Sequence, residues 1–307
     1  MPRIIVTAGK DYLDIDAYAG IVAYAELLRQ LGEESIAVSS APFNSSITPT
    51  QQKLDVGFTR TYQPRADDTF VVVDLSDPEY FDTLIAPERV VGVIDHHVGH
   101  ESYWQERIGK GASIEFIGAA CTLVVEQWKQ HGKLDTMPPA VAELLAAGII
   151  DNTLNFKATL TTPRDHAAYA AVCSVASLDA DWAESYLKQC QEYLLQDFPT
   201  ALANDTKLIT YPDYRQPVAV GQLMALNAQQ IIDTFGPIAK DLLTKQSDSW
   251  YLNILDMRQG VSCFYTTHQP TKLWLEKVLA VEFDDDIAVA KRLWLRKEIF
   301  KEATNEQ

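Results

Sequence analysis

Residues 90–97, with the sequence VVGVIDHH, determine how the rest of the chain is interpreted. The apolar run has the length of a buried strand, and it ends in one carboxylate and two neighbouring imidazoles. In an open parallel sheet, the carboxyl ends of the strands form the edge at which ligands bind. Asp95, His96 and His97 therefore mark a candidate site. Taken alone, the stretch is explained equally well by a capping Asp95 followed by two ordinary loop histidines.

The composition excludes several classes of protein. A chain of 307 residues with 47% hydrophobic and 22% charged residues is typical of a globular protein with two domains. Its four cysteines form no CxxC pair, which argues against a zinc knuckle or a disulfide framework. We expect a cytoplasmic protein without a membrane partner, because no apolar run approaches the roughly 20 residues that span a bilayer.

The charge restricts the partners further. A formal net charge of -16 argues against binding to long nucleic acid, which requires clustered Lys and Arg. An anionic substrate would therefore have to be met by a local positive site, such as bound cations.

Upstream of this stretch, residues 3–8 and 16–31 are predicted to form a strand and a helix, and residues 9–16, which connect the strand to the first helical residue, hold three acids. Asp14 and Asp16 flank the helix start, where a carboxylate can cap free amides. Capping alone does not require three acids. The polar segment 39–65 follows the next predicted strand, and it is either a lid or irregular structure.

Two further acids end apolar elements. Residues 69–74 (TFVVVD) are predicted to form a strand that ends in Asp74, so two neighbouring strands deliver an aspartate to one sheet edge. The apolar helix predicted over residues 139–150 is followed by Asp151, where the helix dipole disfavours a negative charge. A nearby cation would remove that penalty, which favours a functional role for Asp151.

The chain changes character after Asp197. Residues 207–211 and 218–224 are predicted strands, residues 227–245 a helix, and residues 250–256 and 261–266 a hairpin. A final helix is predicted over residues 286–302, capped by the acids at 284–286. We therefore expect one domain over residues 1–196 and a second over residues 197–307.

The acids and the histidine pair resemble the four motifs of the DHH phosphoesterase superfamily. The downstream part resembles the DHHA2 domain of manganese-dependent inorganic pyrophosphatases and of the exopolyphosphatase and prune-type branch, on the basis of Lys207, Gly221-Gln222 and Leu295-Arg296-Lys297. The GGGH signature of the DHHA1 branch is absent. The resemblance implies an α/β fold, in which a parallel-sheet DHH domain with helices on both faces is followed by a smaller α/β DHHA2 domain.

The resemblance also implies roles for individual residues. The metal ligands would be Asp14, Asp16, Asp74, His96 and Asp151. Asp74 would bridge two ions, and Asp95 would orient an imidazole. His97 would bind a phosphate oxygen or donate a proton to the leaving group.

Positive charge for the phosphate would come from Lys207, Arg296 and Lys297. From position alone, Arg296 and Lys297 are better explained as a solvated face, and the resemblance reverses this preference. The implied substrate site lies between the two domains, whose closure would exclude water.

Carboxylate and imidazole ligands suit Mn²⁺, with Mg²⁺ or Co²⁺ as alternatives. Two such ions about 3.5–4 Å apart lower the pKa of a bridging water and hold the attacking and leaving oxygens of a phosphoryl displacement. The predicted function is therefore metal-dependent hydrolysis of a phosphoanhydride, either inorganic pyrophosphate or the terminal phosphate of a short polyphosphate. A homodimer is one possible oligomeric state.

Lys10 departs from the pyrophosphatase pattern, which has a histidine ligand at this point of a GHxNPDTD-like loop. The loop at residues 9–16 (GKDYLDID) is more similar to the GNExxDLD loop of the exopolyphosphatase and prune-like branch. A protonated lysine cannot ligate a metal, so Lys10 either contacts phosphate or leaves one metal position weak. Alternatively, Lys10 points to solvent and Asp11 serves as the ligand.

Two other functions are compatible with these residues. One is a phosphodiesterase of the same superfamily that acts on a nucleotide. The other is a degenerate member that binds a phosphorylated ligand or a protein without turnover, and the lysine at position 10 is its best support.

Overall fold

A computed structural model describes residues 2–304 of the chain. The chain divides into two compact units, and the boundary between Tyr186 and Leu187 falls inside a long helix. Among the described residues, no helix combines the length and apolarity that a membrane span requires.

The first unit is an α/β structure. Its elements, in chain order, are β1 (Ile4–Thr7), α1 (Ile15–Gln30), β2 (Ser35–Val38), α2 (Pro49–Gln52), β3 (Phe58–Thr59), β4 (Thr69–Val73), β5 (Val90–Asp95), α3 (Glu101–Ile108), β6 (Ala112–Ile114), α4 (Ala120–Gln130), α5 (Pro139–Asn152), α6 (Pro163–Ala176) and α7 (Trp182–Gln196), the last of which crosses the boundary. The six strands form a parallel sheet in the order β3-β2-β1-β4-β5-β6. The predicted parallel-sheet domain is confirmed.

Both faces of this sheet are covered. Successive strand residues point to opposite faces, so Val72 packs in a cluster with Trp104 of α3, whereas Val73 faces α1. Gly20 permits the close approach of α1, since a Cβ there would lie 2.6 Å from Cγ1 of Val73. The strands are therefore apolar throughout, as expected for a sheet buried between helix layers.

The segment 39–65 contains only the short elements α2 and β3. It packs against the acidic loop. The amide of Asn44 donates to the carbonyl of Leu13 (2.8 Å), and the amide of Ile15 donates to Oγ of Ser46 (2.9 Å). Most of the segment is irregular, and it holds the start of α1 in place.

The second unit has its own mixed sheet. Its elements are α8 (Phe198–Asn204), β7 (Thr206–Ile209), β8 (Val218–Ala225), α9 (Ala228–Thr244), β9 (Trp250–Asp256), β10 (Val261–Tyr265), α10 (Gln269–Leu279), β11 (Phe283–Asp284), β12 (Ile287–Ala290) and α11 (Arg296–Thr304). The sheet order is β11-β12-β10-β9-β8-β7, and of its neighbouring pairs β8 and β9 run parallel and the others antiparallel.

The predicted final helix over residues 286–302 is wrong in its first half. Residues 287–290 form β12, which pairs with β10, and α11 begins only at Arg296. The acids at 284–286 form a hairpin turn with Asp285 at φ 52°, and they do not cap a helix. Asp286 instead binds Nζ of Lys272 at 2.6 Å. Pairing with β10 outweighed the local helical propensity because it buries Ala288 and Ala290.

Four helices, α2, α3, α8 and α10, were not predicted from the sequence. In α3, Trp104 is the buried residue, so the helix shows no apolar periodicity. The helices α8 and α10 have a proline in their first turn, Pro199 and Pro270, where the missing amide costs nothing. A proline taken as a boundary signal thus marks a helix start.

Candidate metal centre

The candidate site forms where β4 and β5 end side by side. Asp74 follows β4 directly, and its amide donates to the carbonyl of Ile94 in β5 (2.8 Å). The residue has φ 61°, a left-handed conformation that Asp adopts more readily than most residues. Asp95 is the last residue of β5. The two predicted aspartates therefore lie at one edge of the sheet, as the parallel strand order requires.

His96 is held in an orientation suited to metal binding. Its ring is 2% exposed, and Nδ1 lies 3.0 Å from the carbonyl oxygen of Ile117, which can only accept a proton. This contact assigns the proton to Nδ1. Nε2 then faces Oδ1 of Asp74 at 3.3 Å and Oδ2 of Asp16 at 4.0 Å. A neutral imidazole fixed by a backbone carbonyl, with its other nitrogen among carboxylates, is the arrangement found in metal-binding histidines.

Asp95 organises the pair of histidines. The carboxylate is fully buried, and its Oδ1 accepts from the amide of His96 (2.7 Å), the amide of His97 (3.1 Å) and Nδ1 of His97 (2.9 Å). Burial opposes ionisation of Asp95, but the hydrogen bond and charge of His97 hold its pKa below the ordinary value. The side chain of His97 is 49% exposed. Asp95 therefore fixes the imidazole that reaches solvent.

The two acids of the first loop have different partners. Asp14 caps α1, since its Oδ1 accepts from the amide of Ala17 at 3.0 Å. Asp16 is fully buried and lies at the start of α4, where its two oxygens accept from the amides of Ala120 and Cys121, each at 2.8 Å. The capping interpretation is thus confirmed for Asp14, and Asp16 caps a helix more than 100 residues away in sequence.

Negative charge accumulates around these residues. Burial, together with the charge of Asp14, raises the pKa of Asp16 to about 6, although the hydrogen bonds from Cys121 and Ala120 act in the opposite direction. The pKa of the Cys121 thiol is raised well above its usual value by burial and by the nearby carboxylates of Asp16, Asp74 and Asp14. Asp14, Asp16 and Asp74 thus add negative charge to the same region.

The residues present fit a divalent cation. One potential ligand atom from each of Asp74, His96 and His97 lies within 4.8 Å of the others. Carboxylate oxygens with imidazole nitrogen are a donor set that Mn²⁺ and similar ions accept. A cation here would also reverse the penalty that raises the pKa of Asp16. His97, for which the family resemblance implies a substrate-binding role, also offers a potential ligand atom in this cluster.

Asp151 and Lys10 have other partners. Asp151 lies in the last turn of α5, and its Oδ1 accepts from the hydroxyl of Tyr186 at 3.3 Å. Nζ of Lys10 is exposed and donates to the carbonyl of Glu79 at 2.7 Å. The ammonium group of Lys10 is therefore bound to the backbone of the segment that follows β4.

The second unit groups its predicted substrate residues around one strand. Lys207 is the β-sheet partner of Val220 in β8, and the guanidinium of Arg296 donates to the carbonyls of Val220 (3.1 Å) and of Asp205. Nη2 of Arg296 also lies 3.5 Å from Oδ1 of Asp205, and this side chain is 12% exposed. Lys297, the next residue of α11, is exposed. Arg296 thus supports its own unit, while Lys297 faces solvent.

Several residues of the site were not found by the sequence reading. Asn152, at the end of α5, donates its side-chain amide to Oδ2 of Asp16. Gly148 leaves room for Asp16, since a Cβ there would lie 2.5 Å from Sγ of Cys121 and 3.2 Å from Oδ1 of Asp16. A glycine four residues before a polar helix end is a weak signal. Nothing local indicates which helix it must approach.

Comparisons with known proteins are consistent with this geometry. Residues 3–149 match the family described as "DHH family, N-terminal domain". Over 304 residues the chain is 23% identical to a probable manganese-dependent inorganic pyrophosphatase of Bacillus licheniformis, and the alignment covers 97% of this chain and 96% of that protein.

Solved structures share the fold over nearly the whole chain. A "putative family II inorganic pyrophosphatase" of Methanococcus jannaschii superposes with a TM-score of 0.71 at 18% identity, covering 98% of this chain and 99% of that one. An exopolyphosphatase-related protein of Bacteroides fragilis superposes with a TM-score of 0.54 at 13% identity, covering 99% and 91%. At these identities the likeness concerns the fold alone.

Proposed function

Because this chain belongs to the DHH superfamily, we propose that it is a metal-dependent hydrolase of phosphoanhydrides, with inorganic pyrophosphate as its first substrate. The terminal phosphate of a short polyphosphate is the second substrate to test. The observation that carries the proposal is the cluster of Asp74, His96 and His97 at the carboxyl ends of β4 and β5.

In this proposal the residues of the site have different roles. Asp74 and His96 hold metal, together with Asp14, Asp16 and Asp151. Divalent cations bound there supply a nucleophilic water at neutral pH and neutralise charge on the phosphoryl oxygens. Asp95 keeps Nδ1 of His97 occupied, so the exposed ring presents its other nitrogen for a phosphate oxygen or a leaving-group proton.

The choice of pyrophosphate rests on the relative from Bacillus licheniformis, which aligns over almost its full length. Manganese as the preferred ion has the same support. The proposed functional division is a DHH catalytic domain over residues 1–196 and a DHHA2-like substrate domain over residues 197–307. In the latter, Lys207, Arg296 and Lys297 are the proposed phosphate-binding residues.

Lys10 affects how many metal ions the site is expected to hold tightly. We propose two ions, of which one is held weakly because Lys10 supplies no lone pair at neutral pH. Metal analysis of the purified protein after dialysis tests this idea, and two tightly held ions per chain would contradict it. The cytoplasmic location and the homodimer stay predictions.

The activity is tested by measuring hydrolysis of four substrates side by side, each with Mn²⁺ and with Mg²⁺. Pyrophosphate and a short polyphosphate are followed by the release of phosphate. A cyclic nucleotide and a short oligonucleotide are followed by chromatography of the nucleoside monophosphate, because cleavage of a phosphodiester releases no free phosphate. Hydrolysis of pyrophosphate that exceeds hydrolysis of the others, and that requires the added ion, is the expected result. A preference for either nucleotide would support the phosphodiesterase instead. No hydrolysis of any substrate by metal-loaded protein would point to the non-catalytic member.

A further inference from the structure

The carboxylate of Asp16 is positioned by α4. Its Oδ1 accepts from the amide of Cys121 and its Oδ2 from the amide of Ala120, and both distances are 2.8 Å. α4 spans 11 residues, so these first amides lie at the positive end of a full helix dipole. Gly148 keeps the facing helix close enough to enclose the carboxylate. These two amides of α4 are therefore sufficient to orient the carboxylate of Asp16.

Asn152 adds a third donor to the same carboxylate. Its side-chain amide reaches Oδ2 of Asp16 from the end of α5. This oxygen is the one that lies 4.0 Å from Nε2 of His96. A carboxylate oxygen offers about two lone-pair directions, and here both are used by N–H donors.

We propose that the side-chain amide of Asn152 competes with a divalent cation for Oδ2 of Asp16, and that Asn152 thereby sets the metal affinity of the site. The inference rests on the metal centre of the proposed function and is independent of the substrate. Asn152 is a positioning residue in this account. It contacts the proposed metal ligand Asp16.

The geometry favours competition over simple support. The amides of α4 already hold both oxygens of Asp16, so Asn152 is not needed to orient the carboxylate. Its amide is neutral and cannot balance the charge of the surrounding carboxylates. When a cation binds Oδ2, the amide of Asn152 must release that oxygen, and the cost of breaking this charge-assisted hydrogen bond reduces the affinity.

The test is a Mn²⁺ titration of metal-free protein, with no substrate present and free Mn²⁺ measured by electron paramagnetic resonance. Asn152→Ala is expected to bind Mn²⁺ about tenfold more tightly than the unmodified chain, the effect of one hydrogen bond to a charged group. Gln130→Ala, at the exposed end of α4, is the matched control and should leave the affinity unchanged. Unchanged or weaker affinity in a folded Asn152→Ala variant overturns the proposal.

A second measurement uses the unmodified protein and so avoids any loss of folding. The side-chain amide resonances of Asn152 are followed by ¹⁵N NMR while diamagnetic Mg²⁺ is added. Release of Oδ2 predicts a shift that saturates with metal binding, and resonances that do not move overturn the proposal. Failure to bind either ion also overturns it. A protein that shows the expected metal behaviour but hydrolyses no pyrophosphate would contradict only the proposed function.

Discussion

Nε2 of His96 lies 3.3 Å from Oδ1 of Asp74, and the two residues follow adjacent parallel strands. The imidazole cannot turn away from this carboxylate, because its Nδ1 is bound to the carbonyl of Ile117. A lone pair facing a carboxylate is unfavourable unless a proton or a cation lies between them. This relationship is the physical basis for the metal centre.

Asp74→Asn and His96→Ala should each reduce metal-dependent phosphate release by more than about 100-fold, because the first removes the negative charge of a ligand and the second removes a ligand nitrogen. His131→Ala is the control, since this histidine is exposed at the end of α4. Steady-state phosphate release with added Mn²⁺ measures the effect. If either cluster variant kept the activity of the control, the assignment of the catalytic centre would be wrong.

Asp95→Asn should lower kcat by about 10–100-fold while changing Mn²⁺ affinity by much less, because Asp95 acts on the orientation of His97. The asparagine keeps an oxygen for the two histidine amides but loses the negative charge. Separate measurements of kcat and of Mn²⁺ affinity distinguish the two effects. An equal loss in both would mean that Asp95 supports the metal ligands directly.

Gly148→Ala should destabilise the first unit by about 1–3 kcal/mol, because the added Cβ overlaps Sγ of Cys121 and crowds Asp16. It should also weaken Mn²⁺ binding. Thr234→Ala, at an exposed position of α9, is the control and should change stability by no more than about 0.5 kcal/mol. Urea denaturation of both variants checks the contrast, and equal effects would contradict it.

Asp68→Asn should lose about 3–5 kcal/mol of stability at pH 7, because it leaves the buried Arg3 without its partner. Burial opposes ionisation of Asp68, but hydrogen bonds from Arg3 and Tyr62 lower its pKa to about 2. A depressed pKa stabilises the folded state above the ordinary value of 3.8, and this contribution is lost as the pH falls towards 2. The difference between the urea midpoints of the two proteins should therefore shrink below pH 4. A constant difference would show that the ion pair is not its source.

Substitutions at Arg296 and at Lys297 should have different effects, the first on stability and the second on substrate binding. Arg296→Ala removes contacts with the carbonyls of Asp205 and Val220, so it should destabilise the second unit by about 1–3 kcal/mol. Lys297→Ala, at an exposed position, should change stability by less than about 0.5 kcal/mol but raise KM for pyrophosphate. Thermal unfolding and steady-state kinetics measure the two effects. An unchanged KM in Lys297→Ala would remove Lys297 from the substrate site.

The local pattern of the sequence determined the elements that carry the site. The apolar run that ends at Asp95 predicted the bounds of β5, and the run before Asp74 predicted β4. Because parallel strands end at one edge, these two runs alone placed Asp74 beside the histidines. Strand and helix periodicity is a property of neighbouring residues, so it is visible without the fold.

Tertiary structure decided which partners the site residues take. Asp16 accepts from the start of α4 and from Asn152, both more than 100 residues away in sequence. Arg296 is bound to carbonyls on β8 and beside β7, although its position in the sequence alone favours a solvated face. Such contacts depend on how whole helices and strands pack, and no local periodicity encodes that packing. The sequence thus determined the cluster at the sheet edge, and the fold decided which hydrogen-bond donors bind each of its carboxylates.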